Sequence, residues 1–463
     1  MTKRRGLQRG ANPHAARPRR AAHSRRCCPR SLNVDLSSPA RRTGPEWFGH
    51  PRGLVVLFLT EMWERFSFYG MKALLIYYMI RQLQFSQADA SLIYGAYIGG
   101  VYLTPIVGGY LADRWLGRRR AILAGGSLMA LGHFVLASET LFFPALLLIA
   151  LGNGLFLPSL PSQVGDLYDP RDPRRGGSYN IYYVGINLGA LLAPLVCGTL
   201  GEVYGWHVGF GVAGAGMCLG LAIYLLGARH LPPDRPAPQP PAPENRDRAS
   251  WRSFAPLLLV GLAVVVFRSG YEQGGNTLAV WAESSVDRSL WGRTVPVTWM
   301  QALNPLGVFL FTPLLVAAWR RAAERGREPS SLAKMALGAA GVALAYLVLS
   351  GLAATHGSTP VSMLWVAAFF TVYTLAELYI LPVGLGLFAR LAPPGRGATV
   401  IAAWYLASFG GNLLSGVVGR HLQSLGATRF FLLLAVLTGA AALGLLALRP
   451  WLGRVEAARL VRP

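Results

Sequence analysis

The chain has 463 residues, of which 53% are hydrophobic and 14% are charged, whereas soluble domains carry about 25% charged residues. Its apolar residues form long runs, and its lysines and arginines lie in the breaks between them, so the composition excludes a soluble domain. The same distribution means that the net charge of +23 indicates membrane topology, with no nucleic-acid partner predicted. The four cysteines lack metal-ligand spacing, so no metal is predicted.

The first segment, residues 1–48, is rich in arginine and proline and is predicted to be a disordered basic tail. Twelve apolar runs follow, each long enough to span a bilayer, and they predict an all-α integral membrane protein. They lie near 53–81, 87–112, 119–138, 142–164, 177–200, 206–229, 254–282, 298–320, 332–354, 361–390, 396–420 and 428–448.

Residues 231–253, between the sixth and seventh spans, are rich in proline and charge and predict an exposed linker. Six spans, a linker and six spans indicate two six-helix bundles, 49–230 and 254–448, around a central path. Residues 449–463 are predicted to be a second tail. Alternate breaks hold most of the arginines, and the positive-inside rule therefore places both tails and the linker in the cytoplasm.

The first span carries ionisable side chains within an apolar segment, each of which costs about 2.5–3.5 kcal/mol at bilayer depth. These side chains are Glu61, Glu64, Arg65 and Lys72. Their spacing places them on one helical face together with Phe68 and Tyr69. The functional interpretation is a proton and ligand site that faces a central cavity, and the alternative is a structural salt bridge.

The segment from Glu61 to Gly70, EMWERFSFYG, resembles the E-x-x-E-R-F-x-Y-Y-G signature of the proton-dependent oligopeptide transporters. These transporters belong to the major facilitator superfamily. Residues 108–114 resemble that superfamily's loop motif after the second span, and residues 182–189 resemble the transporters' second signature. The resemblance covers about residues 49–416 and implies the superfamily's fold of about twelve helices in two bundles.

The resemblance implies a proton-coupled symporter in the inner membrane that imports di- and tripeptides by alternating access. No nucleotide-binding loop is found in the sequence, so ATP hydrolysis is not expected as the energy source. The resemblance implies protons as the coupling ion, with no cofactor and no enzymatic activity. The implied proton-coupling residues are Glu61, Glu64, Arg65 and Glu272, and which glutamate holds the proton stays open. The implied substrate-binding residues are Arg65, Tyr69, Tyr102, Asn187, Asn304, Glu377, Trp404 and Ser408.

Within that implied site, Arg65 would bind the peptide carboxylate and Glu377 the ammonium group. Glu272 would close the outer gate by pairing with Lys72, although Arg268, one turn away, competes as its partner. On the inner face, the resemblance implies that Asp113 and Arg114 form a latch between neighbouring helices.

Two departures from the family's motifs open an alternative. Phe68 replaces the first tyrosine of the span 1 signature, and Leu157 stands where the family motif G-x-G-x-F-K-P has a lysine. In the family this lysine helps to bind the peptide carboxylate and couples to protons. The chain could therefore carry another small solute on the same fold, or peptides with weakened proton coupling. A sensor that does not transport is the third reading.

Overall fold

The computed structural model describes residues 46–169, 171–233, 255–357, 359–392 and 397–460. The predicted basic tail, apart from residues 46–48, and the predicted linker, apart from residues 231–233, lie outside these ranges.

Fourteen α-helices lie in the described part of the chain. Those of the first half are α1 (Arg52–Arg81), α2 (Gln87–Leu111), α3 (Arg118–Val135), α4 (Phe142–Asp166), α5 (Arg174–Ala193), α6 (Thr199–Tyr204) and α7 (Trp206–Gly227). Those of the second half are α8 (Ala255–Tyr271), α9 (Thr277–Ser285), α10 (Leu303–Glu324), α11 (Ser331–His356), α12 (Met363–Arg390), α13 (Gly397–Gly419) and α14 (Leu422–Leu460).

Short strands lie only in connections within the described residues. β1 (Glu46–Trp47) pairs antiparallel with β2 (His50–Pro51), and β4 (Ser289–Leu290) pairs antiparallel with β5 (Arg293–Thr294). β3 (Val286–Asp287) pairs parallel with β6 (Val361–Ser362). The protein is therefore helical wherever it crosses the membrane, as backbone hydrogen bonding in lipid requires.

Two helix pairs each form one span. A π-helical turn, Pro194–Gly198, joins α5 to α6, and a 3-10 turn, Glu272–Gly275, joins α8 to α9. With these pairs joined, ten helical segments of the described chain are long and apolar enough to cross a membrane. Two further helices bring the number of spans to the predicted twelve. These are α1, which carries several charges, and α3, which begins with arginines, and both pack against other helices of the first half of the chain.

The helices pack as two bundles. In the first, α1 packs against α5 and α7, and α4 packs against α2 and α3; in the second, α11 packs against α12 and α14, and α8 against α13. The bundles meet along α2 with α13 and along α5 with α10. Glycines permit the closest approach, since a Cβ on Gly95 of α2 would lie 2.5 Å from the backbone of Gly416 on α13.

The end of the chain differs from the prediction. Residues 449–463 were expected to be a tail, but α14 continues through Pro450 to Leu460. Leu452 is buried and Trp451 packs against the same apolar core, so apolar contacts extend the helix beyond the predicted boundary.

Candidate functional site

A cavity of about 230 Å³ lies between the two bundles. Helices α1, α2 and α5 form one wall, and α8, α10 and α12 form the other. Its charged wall residues are Lys72, Arg268, Glu272 and Glu377. Predicted substrate-binding residues on the wall are Tyr69, Tyr102, Asn187, Asn304 and Glu377. Aromatic residues on the wall that were not predicted as ligands include Tyr183, Tyr271, Phe370 and Tyr373.

At one end of the cavity, Glu272 is paired with cations from both bundles. Lys72 Nζ of α1 lies 3.5 Å from Glu272 Oε2, and Arg268 Nη2 of α8 donates to Glu272 Oε1 at 2.8 Å. The two partners that the sequence offered as competitors are therefore both present. The Arg268 guanidinium also lies 4.9 Å from the centre of the Tyr102 ring, a cation–π contact that links α8 to α2.

Glu377 lies on α12, in the same wall as Arg268, and Asn304 Nδ2 donates to Glu377 Oε2 at 2.7 Å. One helical turn before it, Tyr373 stacks on Tyr271 with ring centroids 4.6 Å apart and donates its hydroxyl proton to the Tyr271 carbonyl. Tyr373 was not predicted from the sequence. Its four-residue spacing from Glu377 on a helix was a signal that could have placed both on one face.

The span 1 charges form a separate buried cluster, which consists of Glu61, Glu64 and Arg65. Glu61 accepts hydrogen bonds from Arg65 Nε at 2.8 Å and from the Tyr182 hydroxyl at 2.5 Å. Arg65 Nε also lies 3.0 Å from Glu64 Oε2, but neither oxygen of Glu64 has a hydrogen-bond donor among the described residues. Glu64 is fully buried, so this carboxyl group is enclosed with one cationic neighbour, Arg65, and without a hydrogen bond to stabilise a charge.

Close packing of α5 on α1 brings Tyr182 to this cluster. A Cβ on Gly189 would lie 2.2 Å from the backbone oxygen of Met62, so only glycine fits at this crossing. In the sequence, Tyr182 stands out only as part of a signature, and its contact with α1 depends on the helix crossing.

Three predicted substrate ligands lie elsewhere. Arg65 is not on the cavity wall, because Glu61 and Glu64 enclose its guanidinium and only 9% of the residue is exposed. Trp404 packs edge-on against Phe388 at 5.2 Å. The Ser408 hydroxyl donates to the Trp404 carbonyl at 3.1 Å, so it is satisfied within its own helix. These three side chains do not line the cavity in this conformation.

The two departures also lie away from the charged walls. Phe68 is buried and packs edge-on against Tyr69, with ring centroids 5.6 Å apart. Leu157 is half-buried on α4 and is not on the cavity wall. Neither residue brings a polar group to the cavity.

The face of the protein at which α1 ends, here called the far face, is closed by contacts between the bundles. Glu202 of α6 accepts from the backbone N–H groups of Val297 at 3.0 Å and Thr298 at 2.9 Å. It also accepts from the Thr298 hydroxyl at 2.6 Å. Beside it, Arg81 pairs with Glu283 at 2.8 Å. Neither contact was predicted from the sequence.

The face at which α1 begins, here called the near face, carries the predicted latch in a different form. Arg118 lies 3.9 Å from Asp113 and also pairs with Asp166 at the end of α4. Arg114 instead lies 6.0 Å from the centre of the Tyr110 ring. Because Arg118 begins α3 and can reach α4, it makes the contact that was expected of Arg114, and this contact joins helices of a single bundle.

Comparison with known proteins agrees with this architecture. The chain is 32% identical over 471 residues to the peptide transporter YePEPT of Yersinia enterocolitica, covering 85% of this chain and 91% of that protein. It is 32% identical over 474 residues to the di-/tripeptide transporter of Lactococcus lactis, covering 86% of this chain and 94% of that protein. A crystal structure of a peptide transporter POT in complex with sulfate superposes with a TM-score of 0.83 at 31% identity, over 89% of this chain and 96% of that one.

A family model described as the POT family matches residues 119–254 and 243–427. This match covers more than half of the chain, and the fold of the solved transporter extends over most of it. The chain belongs to the POT family of transporters, within the major facilitator superfamily fold.

Proposed function

We propose that this protein is a proton-coupled symporter that imports di- and tripeptides by alternating access, with no catalytic activity. The observation that carries the proposal is the charge arrangement of the cavity. Lys72 and Arg268 face a single carboxylate, Glu272, which leaves one positive charge unbalanced at that end. Glu377, on α12 of the second bundle, lines the same cavity without an ion-pair partner among the described residues.

This arrangement suits the two charged ends of a short peptide. The ammonium group would meet Glu377, and the carboxylate would meet the positively charged end. The cavity wall also carries aromatic side chains and the amides of Asn187 and Asn304, which favours recognition of the peptide ends over individual side chains. The relatives named as a peptide transporter and a di-/tripeptide transporter support this substrate class.

Glu64 is the proposed proton carrier. Glu61 and Glu272 each accept hydrogen bonds from two side chains, whereas Glu64 is buried with no donor to either oxygen. A buried carboxyl group without donors is more stable in its neutral form, so Glu64 would be protonated in this conformation. Ionisation would favour turning the Arg65 Nε–H from Glu61 to Glu64, whose Oε2 lies 3.0 Å away, and this links proton release to rearrangement of the span 1 charges.

In one alternative, the protein has the same fold but transports a small solute other than a peptide. Leu157 supplies no cation, and it leaves Lys72 and Arg268 as the positively charged side chains of the cavity wall. A small solute with one carboxylate and one amine would satisfy the same two ends. Peptide transport with weakened proton coupling is the other form of this alternative.

For topology, the proposal places the near face and both termini in the cytoplasm of a bacterium and the far face outside its inner membrane. Fusion of alkaline phosphatase after Pro360, at the far face, is expected to give an active enzyme. The same fusion after Pro232, at the near face, should be inactive, and a fluorescent protein fused there should be fluorescent. Equal phosphatase activity at the two sites would contradict this orientation.

Substitution Glu377→Gln is expected to weaken binding of a free dipeptide by roughly 10–100-fold, because a charged hydrogen bond is worth about 1.5–3 kcal/mol. An N-acetylated dipeptide lacks the ammonium group and should lose little further affinity in the variant. Competition against a labelled dipeptide in membranes measures both effects.

The matched control is Glu324→Gln, which removes an acid from an exposed pair with Arg320 at the near face and should leave affinity unchanged. Affinity of the Glu377→Gln protein equal to that of the wild type for the free dipeptide would reject the assignment. A cargo other than peptides would appear as failure of every free dipeptide to compete.

A further inference from the structure

Arg268 has an unused donor at the cavity wall. Only 4% of the residue is exposed, and Nη2 donates to Glu272. Its Nε–H is buried and has no hydrogen-bond acceptor among the described residues. A buried charged donor without a partner costs about 1–3 kcal/mol or more, so an acceptor supplied by a ligand would recover stability.

The surroundings of Arg268 hold its guanidinium in one plane. Glu272 fixes one edge, and the ring of Tyr102 lies 4.9 Å away on the other bundle. A guanidinium held in this way presents the geometry that binds a carboxylate through two parallel hydrogen bonds. The free Nε–H is one of the donors that such a contact uses.

We propose that Arg268 is the residue that binds the carboxylate end of the transported peptide, an inference that rests on the proposed function. Arg268 would act as a specificity-determining residue that favours substrates with a free carboxylate over their amides. Its position on α8 places the carboxylate contact on the second bundle, together with Glu377 on α12.

Arg65, the cation that the family resemblance offers for this role, is less suited in this structure. Its Nε–H donates to Glu61 and lies 3.0 Å from Glu64, and the residue is not on the cavity wall. Lys72 does line the cavity, but its ammonium group is a compact charge that lies 3.5 Å from Glu272. Lys72 can attract the peptide carboxylate by its charge, while the planar guanidinium of Arg268 can also orient that carboxylate through directed hydrogen bonds.

Carboxylate binding at Arg268 would also act on Glu272. A carboxylate bound through Nε–H and Nη2–H would share Nη2 with Glu272, so a bound peptide would compete with Glu272 for this nitrogen of Arg268. Glu272 also contacts Lys72 on the other bundle, so this competition would connect substrate binding to a contact that joins the bundles.

The test compares dialanine with dialanine amide as competitors of a labelled dipeptide, in wild-type protein and in Arg268→Lys. This substitution keeps a positive charge beside Glu272 and removes the planar group. We expect the variant to bind dialanine at least tenfold more weakly and to bind the amide as the wild type does. N-acetyl dialanine serves as a second probe. The preference for dialanine over this compound depends on Glu377 and should persist in the Arg268→Lys variant.

Arg320→Lys, at an exposed site on the near face, is the control and should retain the preference for dialanine. The inference is overturned if Arg268→Lys keeps the wild-type preference for dialanine over its amide. It is also overturned if the variant loses affinity for both compounds equally, since this indicates a structural role. If the wild type binds none of the three compounds, the proposed peptide function itself fails.

Discussion

Substitution Glu64→Gln is expected to abolish accumulation of peptide driven by a proton gradient while leaving peptide exchange across the membrane intact. Glutamine resembles the protonated carboxyl group in shape and charge but cannot release a proton. The site is fully buried and gives Glu64 no hydrogen-bond donor, so the substitution keeps the neutral state that the structure favours. The transporter would then move peptide in both directions without coupling to the gradient.

The measurement uses purified protein in liposomes, with labelled dipeptide uptake under an inwardly directed proton gradient and counterflow at equal pH. Glu64→Gln should lower the gradient-driven component to the level of protein-free liposomes and retain counterflow. Glu61→Gln is the informative comparison, because Glu61 accepts from Arg65 and Tyr182 and its loss should also impair counterflow. Gradient-driven accumulation at the wild-type level in Glu64→Gln would assign the proton to another group.

Much of the fold could be predicted because membrane helices must be long and apolar. The one span with many charges was still recognisable, since Glu61, Glu64 and Arg65 share a helical face. The continuation of α14 beyond residue 449 was missed, because the burial of Leu452 depends on its neighbours in space and not on the apolar run itself.

The cavity was predicted in part. Residues at positions that match family motifs, such as Tyr69 and Glu377, do line it. Trp404 does not, because its ring packs against Phe388 of α12, a contact between two helices that the sequence does not show. The competition between Lys72 and Arg268 for Glu272 could not be resolved either. The contact of Arg268 with Glu272 can be predicted from their four-residue spacing on a helix. The contact of Lys72 with Glu272 spans 200 residues of sequence and depends on how the bundles pack.

Glu202 shows the limit of sequence reasoning most clearly. It lies near the end of a span, where an acid is ordinarily solvent-exposed, and its partners are 95 and 96 residues away. Two of those partners are backbone N–H groups, which leave no trace in a sequence. Only the packing of one bundle on the other shows that this carboxylate caps the start of the helical segment that leads into α10.

This cap leads to the second large effect that we expect, an opening of the far face in Glu202→Gln. The carboxylate accepts from two backbone N–H groups at a helix start and from the Thr298 hydroxyl, and all three donors belong to the other bundle. Each charged hydrogen bond is worth about 1.5–3 kcal/mol, and glutamine can replace only part of this acceptor capacity. Loss of one such bond would shift the ratio of far-open to far-closed protein by roughly 10–100-fold.

Pulsed electron spin resonance between labels at Thr140 and Thr359 measures this shift, because these exposed residues lie at the far face on different bundles. The labels require a background in which the four native cysteines are replaced. Glu202→Gln should raise the population with the longer distance, and Thr298→Val, which removes a single donor and keeps the side-chain shape, should raise it less. Glu324→Gln breaks an exposed pair at the near face and should leave the distribution unchanged. If Glu202→Gln gives the wild-type distribution, the far face is held closed by other contacts, of which Arg81 with Glu283 and Lys72 with Glu272 are the next to test.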